Sequence, residues 1–97
     1  MTSKQRAYLR SLANDYTAIV QIGKSGITDN VITTVGEALA ARELIKLSVL
    51  DNCAYTPREV CGILTEATGS EGVSVVGRKV VLYRESADHK RIELPDV

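Results

Sequence analysis

Two short apolar runs, residues 18–22 and 44–50, flank a stretch whose apolar residues recur at helical spacing. Each run has the length and the β-branched content of a buried strand. The stretch between them, which begins near Thr28, is typical of a helix that packs one side onto a sheet. Because two strands joined through a helix need a crossover connection, the sheet is expected to be parallel in its early part.

Capping signals predict where three helices begin. They are Thr2 or Ser3 with Gln5, Thr28 with Asp29 in the first turn, and Thr56 with Pro57 and Glu59. Gly69 is placed to end the third helix in the left-handed conformation. Gly36 lies inside the second helix, where we expect it to allow close packing against a strand.

Two further valine-rich runs, near 73–76 and 80–83, are separated by Gly77-Arg78 and predict an antiparallel hairpin. The polar tail, 85–97, offers at most a short edge strand at 92–94. The chain is therefore predicted to be one domain, 1–97, of the α/β class (α+β, two-layer), with the order α-β-α-β-α-β-β and a four-stranded mixed sheet. Lys46 and Ser48 alternate with the apolar residues of the second strand, so one sheet face is expected to be partly open.

The formal charge is zero, but the charges are unevenly distributed. Residues 1–24 hold four basic side chains and one acidic one, residues 25–77 hold three basic and seven acidic ones, and the tail is again rich in Lys and Arg. A basic face is formed only if the two ends of the chain meet, which charge counts do not decide. The chain has no Phe or Trp, so a rich aromatic platform for stacking bases is not expected.

The residue types give little support for a catalytic site or a metal site. Two cysteines, Cys53 and Cys61, with one histidine do not supply the four ligands of a structural zinc site, so we expect free thiols, no metal and no cofactor. His89 is expected to be an exposed tail residue with no nucleophile tied to it. No membrane-spanning run or signal peptide is apparent, so a reducing cytoplasm is expected.

The loop Gly23-Lys24-Ser25-Gly26 lies between the first strand and the second helix. Its glycines allow a sharp turn and close approach to the main chain, and the helix start and Lys24 favour an anion such as a sugar–phosphate backbone. An ordinary tight turn is the structural alternative. A nucleotide-hydrolysing P-loop is not expected, because the glycine that such a loop requires five residues before Gly23 is Ala18 here.

Several strings resemble one family across nearly the whole chain. They are Gln21-Ile22-Gly23-Lys24-Ser25-Gly26, Glu43-Leu44-Ile45-Lys46, Gly77 with Val81-Leu82-Tyr83-Arg84, and Ile92-Glu93-Leu94-Pro95. The chain resembles a stand-alone CRM domain, the chloroplast RNA splicing and ribosome maturation module, of the bacterial YhbY-like type. It departs from many relatives at Ala18, where proline is common, and at Asn14, where histidine is often found.

The resemblance implies a fold similar to the C-terminal domain of translation initiation factor three, and RNA binding through the Gly-x-x-Gly loop much as in KH domains. It assigns RNA contact to Gly23, Lys24, Ser25 and Gly26, with Lys46 and Arg84 as weaker candidates. Single-domain bacterial members are associated with precursors of the large ribosomal subunit. We therefore expect a non-enzymatic, cytoplasmic, ribosome-associated assembly factor whose partner is ribosomal RNA.

A second hypothesis has the loop purely structural. In that case the open side of the sheet binds another protein, and the chain is an interaction adaptor. The oligomeric state does not follow from the sequence.

Overall fold

The computed structural model describes residues 1–88 and 90–95, and it confirms the predicted order of elements. The elements are α1 (Ser3–Ala13), β1 (Val20–Ile22), α2 (Asp29–Arg42), β2 (Leu44–Val49), α3 (Pro57–Thr68), β3 (Glu71–Val76) and β4 (Lys79–Tyr83). His89 and the last two residues of the tail lie outside the described residues. Within the described ranges, no helix has the length and apolar content needed to cross a membrane.

Threonines begin all three helices, as predicted. The side-chain oxygen of each accepts a backbone N–H three residues later: Thr2 from Gln5 at 3.1 Å, Thr28 from Val31 at 3.2 Å and Thr56 from Glu59 at 3.2 Å. In α1 and α3 the Gln5 and Glu59 side chains return the bond, which completes two capping boxes. Gly69 ends α3 with φ at 68°, in the predicted left-handed conformation.

The four strands form one mixed sheet in the order β1-β2-β4-β3. Strand β1 runs parallel to β2, with Ile22 opposite Val49, whereas β4 is antiparallel to both of its neighbours. Lys79, the first residue of β4, lies opposite Ser48 near the end of β2. The carboxyl ends of β1 and β2 therefore meet the β3–β4 turn at the same end of the sheet, here called the hairpin end.

Apolar side chains pack on both faces of the sheet. The larger cluster lies under α2 and α3 and contains Ile22, Val35, Leu39, Ile45, Leu47, Val49, Val60, Leu64, Val80 and Leu82. The smaller cluster lies under α1 and contains Leu9, Ala13, Leu44, Val73, Val81, Tyr83 and Ile92. Because β2 and β4 alternate between the two clusters, α1 lies on the face opposite α2 and α3.

The two-layer description therefore holds for the sheet with α2 and α3, and α1 adds a partial third layer. This layer narrows the face that was expected to be partly open, and the opening that remains lies around Lys46. Ser48, on that face, is only 5% exposed, and Lys46 is half-buried. Sequence periodicity did not reveal the third layer, because the apolar stripe of a helix does not specify which face of the sheet it covers.

The described tail residues follow the α1 face without forming a strand, so the predicted edge strand at 92–94 is absent from them. Ile92 belongs to the smaller cluster, and Leu94 packs against it. The fully buried carboxylate of Glu43 anchors this segment by accepting the backbone N–H groups of Ser86 at 2.8 Å, Ile92 at 2.9 Å and Arg91. The segment is thereby held against the domain.

Gly36 does not have the predicted packing role. A Cβ added to it would meet no neighbouring atom within 4 Å, so close packing against a strand is wrong. Its backbone carbonyl, which a residue of any type would supply, accepts a hydrogen bond from the Arg84 guanidinium at 2.9 Å. The same guanidinium donates to the carbonyl of Thr68 at 2.7 Å, and Arg84 therefore joins α2 to the end of α3.

Candidate nucleic-acid interface

The Gly23–Gly26 loop is a tight turn at the hairpin end of the sheet, directly after β1. The N–H of Gly26 donates to the carbonyl of Gly23 at 2.9 Å, which places Lys24 and Ser25 at the two central positions. Gly26 has φ at 69°, a conformation that a side chain makes costly. The second glycine is therefore required by the backbone of the turn.

Gly23 is favoured for a different reason, the limited space around it. A Cβ at this position would lie 3.2 Å from the side-chain oxygen of Asn52 and 3.3 Å from Cδ1 of Leu50. At Gly26 it would lie 3.7 Å from the ring of Tyr55. The turn is thus packed against the connection between β2 and α3, which holds its backbone in place.

The central residues of the turn are available to a ligand. Both Lys24 and Ser25 are exposed, and within residues 1–88 and 90–95 their backbone N–H groups donate to no protein acceptor. The Lys24 ammonium has no carboxylate within ion-pair distance among the same residues. Two free amides and a mobile cation next to each other suit an anion such as a phosphate.

The start of α2 contributes less than the sequence suggested. The helix begins at Asp29, so Ile27 and the cap Thr28 separate it from the turn. Thr28 already occupies the N–H of Val31. The carboxylate of Asp29 also lies in the first turn, where it offsets the positive end of the helix dipole. The turn amides and Lys24 are therefore better suited to receive an anion than the start of α2 is.

Lys46, the weaker candidate on β2, lies between two clefts on the α1 side of the sheet. One cleft, of about 330 Å³, is lined by Tyr16, Thr17, Ile19, Arg42, Leu44, Ile45, Lys46 and Arg91 and is here called the Tyr16 cleft. The other, of about 190 Å³, is lined by Arg10, Ala13, Asn14, Lys46, Ser74, Val76, Lys79 and Val81. No carboxylate belongs to either set of described lining residues.

The second cleft brings together basic residues from both ends of the chain, which the charge counts did not decide. Arg10 comes from the basic N-terminal part of the chain and Lys79 from its basic C-terminal part, and both line one cleft with Lys46. Lys79 also donates a hydrogen bond to the hydroxyl of Ser48 across the β2–β4 pair. The two ends of the neutral chain thus form one basic surface on the α1 face.

Arg84, the other weaker candidate, lies apart from these groups. It follows the last residue of β4, at the end of the sheet away from the hairpin, and its terminal nitrogens bond to α2 and α3. The structure does not bring it together with the Gly23–Gly26 turn. Its predicted contact with RNA stays a prediction.

Sequence reasoning missed Tyr16, Arg42, Arg91 and Glu43 as parts of the site. Burial alone raises the pKa of the Glu43 carboxyl, but its backbone hydrogen bonds, together with nearby Lys90, outweigh burial and leave that pKa below its ordinary value. Glu43 is therefore an ionised anchor that holds Arg91 beside the Tyr16 cleft. Its position in a string shared with the family was the only available signal, since its partners come from the tail.

The environments of the two cysteine thiols favour a structural role over a catalytic one. Both cysteines are free thiols, as predicted, and both are half-buried. Burial raises the pKa of the Cys61 thiol, against a smaller opposing effect of Arg58, which disfavours the nucleophilic thiolate. No group of three or more His, Cys, Asp or Glu residues that could hold a metal occurs in the described part of the chain.

Comparisons with known proteins agree with this description. The probable RNA-binding protein YqeI of Bacillus subtilis is 47% identical over 95 residues, which cover 98% of this chain and 99% of that protein. An RNA-binding protein of Haemophilus influenzae is 32% identical over 95 residues, covering 98% and 95%. The solution structure of a hypothetical Staphylococcus aureus protein matches with a TM-score of 0.79 and 46% identity, over 98% of this chain and 99% of that one.

The CRS1/YhbY (CRM) domain family matches residues 1–84, which include every helix and strand and the Gly23–Gly26 turn. With that match and relatives of this identity and coverage, the chain belongs to the CRS1/YhbY (CRM) domain family.

Proposed function

We propose that this protein binds RNA by its phosphate backbone, with the Gly23–Gly26 turn as the principal contact. The single observation that carries the proposal is the exposed turn, in which the amides of Lys24 and Ser25 have no protein acceptor among the described residues. Backbone amides and a lysine recognise a phosphate without reading a base, so binding is expected to be only loosely sequence-specific.

The basic α1 face supports the same proposal. Lys46 with Arg10 and Lys79 offers further phosphate contacts in a cleft whose described lining residues include no carboxylate. Two relatives carry names that describe them as RNA-binding proteins. Arg84 is expected to contribute less than Lys24, because its terminal nitrogens already bond within the fold.

The biological role that we propose is assembly of the large ribosomal subunit in the cytoplasm, with precursor ribosomal RNA as the partner and no catalysed reaction. This finer assignment rests on the resemblance to single-domain bacterial CRM proteins. The adaptor alternative uses the open sheet face, but α1 and the tail cover much of that face, and the part that remains open around Lys46 is basic. We therefore favour RNA over a protein partner.

A salt titration tests the proposal. If about four or five phosphates are neutralised, log affinity for single-stranded RNA against log salt should have a slope of about −3, at about 0.7 per contact. Fluorescence anisotropy with a labelled oligonucleotide between low and moderate salt measures it. An affinity that does not change with salt would contradict the proposal.

Charge reversal locates the contact. Lys24→Glu should weaken binding by at least about fivefold and flatten the salt slope by about 0.7 or more, because a phosphate contact becomes a repulsion. Lys4→Glu is the matched control, since Lys4 is exposed on the first turn of α1 and lines neither cleft. Equal losses in the two variants would mean that only net charge matters and that the turn is not the contact.

A further inference from the structure

The Tyr16 cleft combines features that phosphate contact alone does not need. Tyr16 is 40% exposed and lines the cleft together with Ile19, whose apolar side chain is 41% exposed. Arg42, Lys46 and Arg91 line the same cleft. An aromatic ring and an apolar wall suit the flat face of a base, whereas three cations suit its phosphate.

The cleft is formed by ordered backbone. The N–H of Tyr16 donates to the carbonyl of Ala13 at 3.0 Å, which fixes the turn after α1, and the N–H of Ile19 donates to the carbonyl of Lys46 at 2.9 Å. These bonds hold the aromatic wall against the start of β2. At about 330 Å³ the cleft is at the small end of ligand pockets, a size that suits a single nucleotide.

No acidic residue of the described part of the chain lines the cleft beside its cations. Arg91 is positioned through its own N–H, which donates to Glu43, and through its Nε, which donates to the carbonyl of Ala41 at 3.1 Å. The Glu43 carboxylate is fully buried and satisfied by three backbone donors, so it does not line the cleft. Arg42 is exposed and precedes it directly in the chain. The carboxylate thus holds the segment that carries Arg91 in place and does not itself line the cleft.

The cleft and the Gly23–Gly26 turn lie along the same edge of the sheet. β1 is the outer strand, and at a rise of about 3.3 Å per residue Ile19 and Gly23 are about 13 Å apart. A short unpaired segment can reach from one to the other along that edge. A base inside a duplex is stacked and cannot enter such a cleft.

We propose that the Tyr16 cleft binds one unpaired nucleotide of the RNA, with its base against the Tyr16 ring and its phosphate among Arg42, Lys46 and Arg91. This inference rests on the proposed RNA-binding function and deepens it. It names single-stranded RNA as the ligand class and adds a second contact to the turn.

Anisotropy with a labelled single-stranded oligonucleotide tests the inference. Tyr16→Ala should weaken binding by about fivefold or more with little change in the salt slope, because stacking is not ionic, whereas Tyr16→Phe should bind nearly as the parent. Tyr8→Ala is the matched control, since Tyr8 is also 40% exposed and lines neither cleft. Arg91→Gln should instead reduce the slope by about 0.7. Circular dichroism confirms that each variant is folded.

The outcomes separate the two proposals. Equal RNA affinity of Tyr16→Ala and Tyr8→Ala would overturn the proposal of a nucleotide cleft. If Arg91→Gln still reduced the salt slope in that case, the cleft would be an anion site only. The proposed function survives either result as long as Lys24→Glu weakens binding. The cleft is further supported if replacing bases one at a time by abasic positions abolishes the effect of Tyr16→Ala at one position. If the parent protein binds no RNA, both proposals fail.

Discussion

Replacing the buried anchor Glu43 by glutamine should markedly destabilise the domain. One carboxylate oxygen accepts the N–H groups of Arg91 and Ile92, and the other accepts that of Ser86 at 2.8 Å. Glutamine keeps the size of the side chain but turns one oxygen into an NH₂ group, so at least one backbone donor must face another donor. The remaining bonds also lose the assistance of the negative charge.

The magnitude follows from those bonds. A hydrogen bond to a charged group contributes about 1.5–3 kcal/mol, and a buried donor left without a partner costs about 1–3 kcal/mol. We therefore expect the free energy of unfolding to fall by about 3 kcal/mol. At about 4–8 °C per kcal/mol for a domain of this size, the midpoint of thermal unfolding should fall by about 12–24 °C.

The effect should depend on pH. Because the pKa of Glu43 is lower in the folded protein than its ordinary value of 4.5, its contribution is fully present above that value and is lost as the pH falls through the folded pKa. The stability difference between the parent and Glu43→Gln should thus be constant near neutrality and shrink below about pH 4.5. Urea unfolding followed by circular dichroism at several pH values measures it.

Glu37→Gln provides the control, because Glu37 is exposed on α2 and the chemical change is the same. It should alter stability by no more than about 0.5 kcal/mol. Hydrogen exchange at the amides of Arg91 and Ile92 should accelerate only in the Glu43 variant. A cost below about 1 kcal/mol for Glu43→Gln, or a difference that stays the same down to pH 3, would refute the anchor.

Three further predictions concern the packing of the helices. Gly62→Ala should raise the free energy of unfolding by about 0.5–1 kcal/mol, since a Cβ there meets nothing within 4 Å. Gly69→Ala should lower the free energy of unfolding, because the φ of Gly69 is 68°. Chemical denaturation compares the two variants. Gly72→Ala should destabilise the domain, because the new Cβ would lie 2.8 Å from Sγ of Cys61. The loss of stability should be smaller in a Cys61→Ala background, and additive effects in the double-mutant cycle would contradict that contact. Arg84→Met should cost about 1–3 kcal/mol through loss of its two carbonyl partners, and a thermal midpoint equal to that of the parent would contradict its role in joining α2 to α3.

Much of the fold was determined by short-range sequence signals. Thr56 with Glu59 specifies a helix start within four residues, because the donor and acceptor that close the cap are neighbours in the chain. Gly26 marks a turn for an equally local reason, its positive φ. The element order, the mixed sheet and the exposed Gly23–Gly26 turn followed from such signals.

Only the tertiary structure decided what lies beside Lys46. Arg10 and Lys79 lie beside Lys46 because α1 covers one particular face of the sheet and β4 pairs with β2 in one particular register. No local sequence pattern predicts either the face or the register. The burial of Glu43 was also decided by the tertiary structure. A lone acidic residue at a helix end is predicted to be solvent-exposed, but here backbone N–H groups of the tail donate to its carboxylate. The sequence alone determined the helices, the strands and the Gly23–Gly26 turn, whereas chain folding over long separations assembled the basic face and the Tyr16 cleft.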